Sequence, residues 1–399
     1  MTETPVTGRG MTRRGLVGAA LAVGAGASLG VAGRASAAST GSEPVRLTLP
    51  APTGPHPVGT AALHLVDRSQ PDPLAGPGRF RELMVSVWYP ARHVWRHPLA
   101  PWMTAASLRA LLESSGFAPD AVRAPLTAGH EGAPVRRTAG RLPVVVYSHG
   151  AGSHRSDTTI VVQELASHGY VVVTVDHTYD GPVEFPDGRV TVREDDYDST
   201  PWTYTRDVRF VLDQIGVLAA GGNPDVDHRP LPAGLGEALD PHRIGMFGWS
   251  KGGTATALTM GVDERVRAGL SFDGPMLSQP RPATDLDRPF MLMTAEYTRA
   301  TEPAVAEFWS HLRGWRLNLQ AAGALHQSYG DNQWLVPQLA RVIGMSDEEL
   351  AGWIGTLDPA RAVRIQQAYP LAFFDRHLRH RGHLLRGPSR AFPEVSFLR

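Results

Sequence analysis

The segment Gly248-Trp249-Ser250-Lys251-Gly252 sets a serine between glycines at the end of the apolar run "RIGMFGW". On a strand-to-helix turn, the G-x-S-x-G spacing is a nucleophile elbow. The sharp turn strains the serine backbone and projects its hydroxyl, and the glycines let strand and helix pass closely. The bare pattern is weak in a chain with 42 glycines. Its weight comes from the predicted strand 243–250 before it and the predicted helix "KGGTATALTMG" after it. The plain alternative is a glycine-rich turn around a buried serine.

A serine hydroxyl needs a base, and the base needs an orienting acid. Asp273 closes the predicted strand 266–274, "VRAGLSFDG", at the same sheet edge as Ser250. His326, in "GALHQSYGD", lies in the loop after the last predicted parallel strand. Ser, Asp, His is the triad order of an α/β-hydrolase fold. Asp287 is a weaker rival because it precedes a strand, and Asp331 because it follows the histidine. His311, His377, His380 and His383 fall on or beyond helical segments. In the expected reaction His326 takes the Ser250 proton, Ser250 attacks an ester carbonyl, and Asp273 fixes the imidazole tautomer.

The oxyanion needs two donors. One is the backbone N–H of Lys251, directly after the nucleophile. The other is expected from "SHGAGSHR", by position the N–H of Ala151, with Gly150 and Gly152 permitting close approach. His149 reads as an orienting residue of that turn rather than a base. Lys251 is the only lysine of the chain; all other basic positions are arginine. Its side chain can line the pocket and meet a lipid phosphate or a free carboxylate, or point along the helix so that only its backbone matters. Trp249 can supply an aromatic wall for substrate.

Short apolar runs alternate with helical patterns, so the expected architecture is α/β: a mostly parallel central sheet with helices on both faces. Strands are predicted over 60–67, 81–91, 142–150, 170–177, 243–250, 266–274, 288–296 and the start of 315–326. The first two read as an antiparallel pair at the sheet edge. Helices are predicted over 158–169, 204–218, 304–314 and 362–380, the last kinked or broken at Pro370. Residues 92–140, rich in proline and holding Trp95 and Trp102, read as an insertion over one edge of the site.

The chain has 399 residues, 42% of them hydrophobic, and no formal net charge, so it carries no electrostatic footprint for nucleic acid. The absence of cysteine removes disulfides, thiolate metal sites and a cysteine nucleophile. The acidic stretch "REDDYDSTPW" reads as a solvated loop capping the next helix rather than a calcium site. No metal and no cofactor is expected. Arg13-Arg14, the weakly apolar stretch 15–33 and Ala35-Ser36-Ala37 read as a Tat-type export signal over 1–37. The expected organisation is that signal and one domain over 38–399. Loss of the signal removes four arginines and one glutamate, leaving a net charge of −3. The expected product is secreted after folding and contact with the Tat machinery.

"PVVVYSHGAGSHR…LASHGYVVVTVDH", "GMFGWSKGG", "SFDGPM" and "GALHQSYGD" together resemble, in order and spacing, the platelet-activating-factor acetylhydrolase group of α/β-hydrolases, especially its bacterial members. The likeness spans roughly residues 140–330, with "FFDRHLRH" a looser match. The resemblance implies a metal-free enzyme hydrolysing short or oxidised acyl chains on phospholipids and related esters, with transient contact at a lipid surface. It also supports Asp273 as the acid and Ala151 and Lys251 as oxyanion donors. The family usually has His or a similar residue before the serine and an apolar residue after it; here Trp249 and Lys251 stand there. Two further readings stay open: a polyester, cutin or general lipase activity, and a catalytically silent binding protein on the same fold.

Overall fold

The computed structural model describes residues 43–136, 140–280 and 285–398. The expected export signal lies outside them. The chain begins with the hairpin strands β1 (Val58–Pro71) and β2 (Phe80–Pro90), then β3 (Leu99–Pro101), helix α1 (Ala105–Ser114) and β4 (Leu126–Glu131). The central units follow: β5 (Leu142–Ser148), α2 (Thr159–Ser167), β6 (Val171–Val175), and a small hairpin of β7 (Val183–Glu184) and β8 (Val190–Thr191). Next come α3 (Pro201–Ala219), the short α4 (Leu235–Ala238), β9 (Leu239–Trp249), α5 (Lys251–Val262) and β10 (Val266–Phe272). The last part holds β11 (Phe290–Thr294), α6 (Pro303–His311), β12 (Arg316–Ala321), α7 (Asn332–Ile343), α8 (Asp347–Ile354), α9 (Pro359–Leu378) and β13 (Val395–Leu398).

Eleven strands join in one sheet, in the order β13-β12-β11-β10-β9-β5-β6-β2-β1-β4-β3. The middle run from β12 to β6 is parallel. Strands β5, β6 and β11 are buried at every position, so successive side chains feed two cores. Val144 and Val146 of β5 belong to one core with residues of α3, α5 and α6; Val145 and Tyr147 belong to the other, with residues of α2 and α9. Each buried aliphatic side chain contributes about 1.5–3 kcal/mol. β5 pairs with β6 on one side and β9 on the other. The strand order reverses there, opening a crevice at the carboxyl ends of β5 and β9.

Two expectations change. β1 and β2 are antiparallel as expected, but they are not the sheet edge: β4 pairs with β1 in parallel and β3 lies outside it. Part of the 92–140 insertion thus covers a strand edge whose backbone groups would otherwise lack partners. Another part of it packs on α7, where Trp102, Leu108 and Leu112 share a core with Leu335 and Leu339. Helix α9 runs unbroken through Pro370. Tyr369, Phe373 and Phe374 are fully buried in the core shared with β9 and β10, and that packing outweighs the roughly 3 kcal/mol an internal proline costs. Strand β13 and helices α7 and α8 complete the C-terminal part.

Candidate active site

Strand β9 turns into α5 at Ser250, whose φ of 53° and ψ of −119° are a strained combination costing of order 1–3 kcal/mol. The strain is held from both sides. The Ser250 N–H donates to the Phe272 carbonyl at 2.9 Å, hanging the elbow on β10. A Cβ on Gly252 would stand 1.9 Å from the Ser148 carbonyl oxygen, so only glycine lets α5 approach β5 this closely. A Cβ on Gly150 would meet the Trp249 ring at 2.4 Å and the Ser250 Cβ at 3.0 Å. The turn after β5 is therefore pressed against the elbow.

Asp273 follows β10 with a φ of 44° and donates its N–H to the Met293 carbonyl at 2.8 Å. Its carboxylate is fully buried, and four donors compensate it. Oδ1 accepts the N–H groups of Ala295 (2.7 Å) and Tyr297 (3.0 Å). Oδ2 accepts the Glu296 N–H (3.2 Å) and Nδ1 of His326 (2.7 Å). An imidazole that donates from Nδ1 keeps the lone pair on Nε2, the state a general base needs.

His326 opens a 3₁₀ turn, His326–Tyr329. Gln366 of α9 steadies that turn by donating to the carbonyls of Ser328 and Gly330. The imidazole lies 4.8 Å from the Trp249 ring and 5.2 Å from Tyr297, whose ring stands at 88° to it. The Trp249 indole N–H donates to the His326 carbonyl at 2.8 Å. Trp249 is 8% exposed, so it supports the histidine and the β5 turn rather than presenting a free wall to substrate. Among the described residues no hydrogen bond within 3.5 Å joins the Ser250 hydroxyl to His326.

The turn after β5 carries Ala151. The Gly150 carbonyl accepts the Ser153 N–H at 3.2 Å, and Gly152 takes the positive φ of 72° that such a turn requires. His149 holds the same carbonyl. Its Nε2 accepts the His177 N–H at 3.0 Å, so its proton sits on Nδ1, which donates to the Gly150 carbonyl at 2.7 Å. Burial lowers the pKa of His149 and keeps it neutral. In a trans peptide the N–H points opposite the C=O. Pinning the Gly150 carbonyl inward therefore aims the Ala151 N–H outward. Neither this N–H nor that of Lys251 donates to a protein acceptor among the described residues.

The Lys251 side chain turns away from a role as a free cation. Its ammonium pairs with Asp180, donates to the Ser199 carbonyl at 2.9 Å and lies 4.9 Å from the centre of the Tyr204 ring. Its charge is committed inside the protein because burial penalises an unpaired ammonium. Neither acidic rival joins His326. Asp331 caps α2, accepting from the N–H groups of Thr159 (2.9 Å) and Ile160 (3.0 Å) and the Trp102 indole (2.8 Å). Asp287 lies just ahead of β11, as the sequence suggested. His311 pairs with Asp285, and His377 packs on Trp315 and Phe373. Asp180, Tyr204 and Glu296 were not foreseen. The lone lysine is the one sequence signal that could have led to the first two, as a buried cation in need of an acid.

A second Ser-His-Asp set lies beneath the first. The Ser148 hydroxyl contacts His177 Nε2 at 2.8 Å, and His177 Nδ1 contacts Asp207 Oδ2 at 2.9 Å. Arg81 grips Asp207 with two bonds, at 3.1 and 2.8 Å. Ser148, His177 and Asp207 have no solvent exposure. Burial pulls the His177 pKa down to about 4. Burial alone would raise Asp207, but Arg81 and His177 bring it to about 2.

Asp273, Glu296 and His326 place ligand atoms within 4.8 Å of one another, which is close enough to hold a cation. The donor set fits poorly. Asp273 already accepts four hydrogen bonds, and a metal there would have to displace the Nδ1 proton that joins it to His326.

The family model for platelet-activating factor acetylhydrolase, isoform II, matches residues 44–182 and 227–386. A probable 1-alkyl-2-acetylglycerophosphocholine esterase from Arthroderma benhamiae is 28% identical over 389 residues, covering 89% of this chain and 95% of that protein. The platelet-activating factor acetylhydrolase of Canis lupus familiaris is 23% identical over 280 residues, covering 61% of this chain and 58% of that one. A solved structure, the ferulic acid esterase from Streptomyces cinnamoneus, superposes with a TM-score of 0.74 and 36% identity, covering 88% of this chain and 99% of the other. The sheet and its flanking helices are those of an α/β-hydrolase, and the chain belongs to the platelet-activating factor acetylhydrolase, isoform II, family of carboxylic-ester hydrolases.

Proposed function

We propose that Ser250, His326 and Asp273 form the catalytic triad of this ester hydrolase. The observation that carries the reading is the Asp273–His326 bond at 2.7 Å beside a serine in a strained elbow. His326 Nε2 takes the Ser250 proton as Oγ bonds to the ester carbonyl carbon. The N–H groups of Ala151 and Lys251 receive the oxyanion. Collapse breaks the carbon–oxygen bond to the alcohol, and His326 returns the proton to that leaving group. Water, deprotonated by the same imidazole, then releases the acid. Asp273 holds the imidazole and stabilises its charged form without taking the proton.

The substrates are short-chain acyl esters of phospholipid-like or other small alcohols, approached from solution or from a lipid surface. Support comes from the family match and the esterase from Arthroderma benhamiae. A second reading, hydroxycinnamoyl esters, is favoured by the 36% identity to the ferulic acid esterase. Hydrolysis of p-nitrophenyl esters from acetate to palmitate, alongside methyl ferulate, separates the two. The first reading predicts a peak at acetate or butyrate that is lost in Ser250→Ala. Preference for methyl ferulate would move the substrate class to aromatic acids, and activity retained by Ser250→Ala would overturn the triad.

The same reading places the enzyme outside the cytoplasm, exported folded by the Tat route and cut near Ala37. Its support is Arg13-Arg14 with Ala35-Ser36-Ala37. Replacing both arginines by lysine should abolish export, and unchanged secretion of that variant would contradict it.

A further inference from the structure

The lone lysine stands at the first position of α5, so its backbone and its side chain serve different places. The side chain reaches Asp180, which is 2% exposed. Asp180 in turn holds the turn after β5: its Oδ1 accepts the Gly152 N–H at 3.2 Å, while Oδ2 also accepts the Tyr204 hydroxyl at 2.7 Å. The next residue fits the same surface tightly, since a Cβ on Gly181 would stand 1.8 Å from the Ser153 carbonyl oxygen. Asp180-Gly181 is thus a brace behind the turn that carries Ala151. The ammonium also bonds Ser199 and faces Tyr204, both in the stretch that the family model leaves unmatched between residues 182 and 227. This ion pair joins the elbow to the turn, which are otherwise far apart in sequence.

We propose that Lys251 is a positioning residue: through Asp180 its ammonium fixes the turn bearing the Ala151 N–H relative to its own backbone N–H. The inference rests on the triad reading above. Its physical content is that two oxyanion donors stabilise a developing charge only when both sit at hydrogen-bond distance from it. A displacement of about 1 Å costs on the order of 10²-fold in rate. Ground-state binding does not use that registration, so the loss falls on kcat rather than KM.

The test is steady-state kinetics on p-nitrophenyl acetate with Lys251→Met, Asp180→Asn, the double variant, Lys251→Arg and Ser250→Ala. Each single variant leaves one buried charge unpaired and can fail to fold; the double variant removes both and keeps the test decisive. The expected result is a kcat lowered by about 10²-fold in the double variant with KM within about threefold. Where the singles fold, the double should be no worse than either alone, because all three break one link. Lys251→Arg should recover most of the rate. Affinity for a trifluoromethyl ketone, whose adduct carries the oxyanion, should fall in parallel with kcat. A folded double variant with wild-type kcat, or losses that multiply, would overturn the inference. Activity surviving in Ser250→Ala would instead overturn the triad on which it rests.

Discussion

Two serine-histidine-aspartate sets have their serines at the ends of the neighbouring strands β5 and β9, and in the proposed mechanism the better-closed set is the less able to react. Ser148 sits at the end of β5, paired in register with Gly248 of β9, two residues before Ser250. In the inner set both hydrogen bonds are formed, at 2.8 and 2.9 Å, yet every member is sealed from solvent. Its serine is an ordinary strand residue, and Arg81 locks its aspartate. In the outer set the serine is strained, partly exposed and next to two N–H groups that meet no protein acceptor among the described residues. Hydrogen-bonded order alone does not make a nucleophile. In the proposed mechanism a nucleophile also needs access and pre-aimed donors for the oxyanion, which among the described residues the inner set lacks.

That contrast can be broken at each pair of equivalent residues. Ser250→Ala should lower kcat by about 10⁶-fold, while Ser148→Ala should keep esterase activity within about threefold and lose only about 1 kcal/mol of stability. Comparable activity losses at both serines would erase the distinction. Asp273→Asn should cost about 10⁴-fold in kcat by permitting the wrong tautomer of His326. Asp207→Asn should instead show in urea unfolding, as a loss of about 3–5 kcal/mol, because it strands the buried Arg81 charge.

The inner set contributes its own share to the pH dependence of stability, beside the buried His154 and His377, whose pKa values burial also lowers, to about 3 and about 4. With His177 held down near 4, the unfolded chain binds a proton below pH 6.5 that the folded chain refuses. The contribution of this histidine should therefore fall as pH drops from about 6.5 to about 4, by up to about 1.4 kcal/mol per pH unit. His177→Asn should remove this contribution from the slope measured for the unaltered protein; an unchanged slope would show that the inner imidazole is not buried neutral. The smallest effect concerns the outer set. Trp249→Phe removes the donor to the His326 carbonyl and should lower kcat/KM by about fivefold, the equivalent of about 1 kcal/mol.

Much of this arrangement is legible in the sequence because it is local. G-x-S-x-G with a strand before it and a helix after it locates Ser250, and strand ends locate Asp273 and His326. The apolar runs of β5, β6, β9, β10 and β11 are short, β-rich and bounded by turns, so their places and parallel order follow. What escapes depends on pairing across long separations. β4 completes the edge of β1 from inside a proline-rich insertion that has no strand pattern of its own. Pro370 is tolerated because its neighbours Tyr369, Phe373 and Phe374 are buried in a core that periodicity cannot weigh. Asp180 meets Lys251 across 71 positions, and His177 meets Asp207 across 30. No local rule distinguishes these acids from capping or loop residues, and Lys251 announced itself only by being the one lysine.

The most direct test is to treat the folded enzyme with a fluorophosphonate and locate the adduct by peptide mass spectrometry. The account predicts one adduct, on Ser250, with loss of activity in proportion to labelling and none on Ser148. Labelling of Ser148, or an active enzyme whose Ser250 stays unmodified, would contradict it.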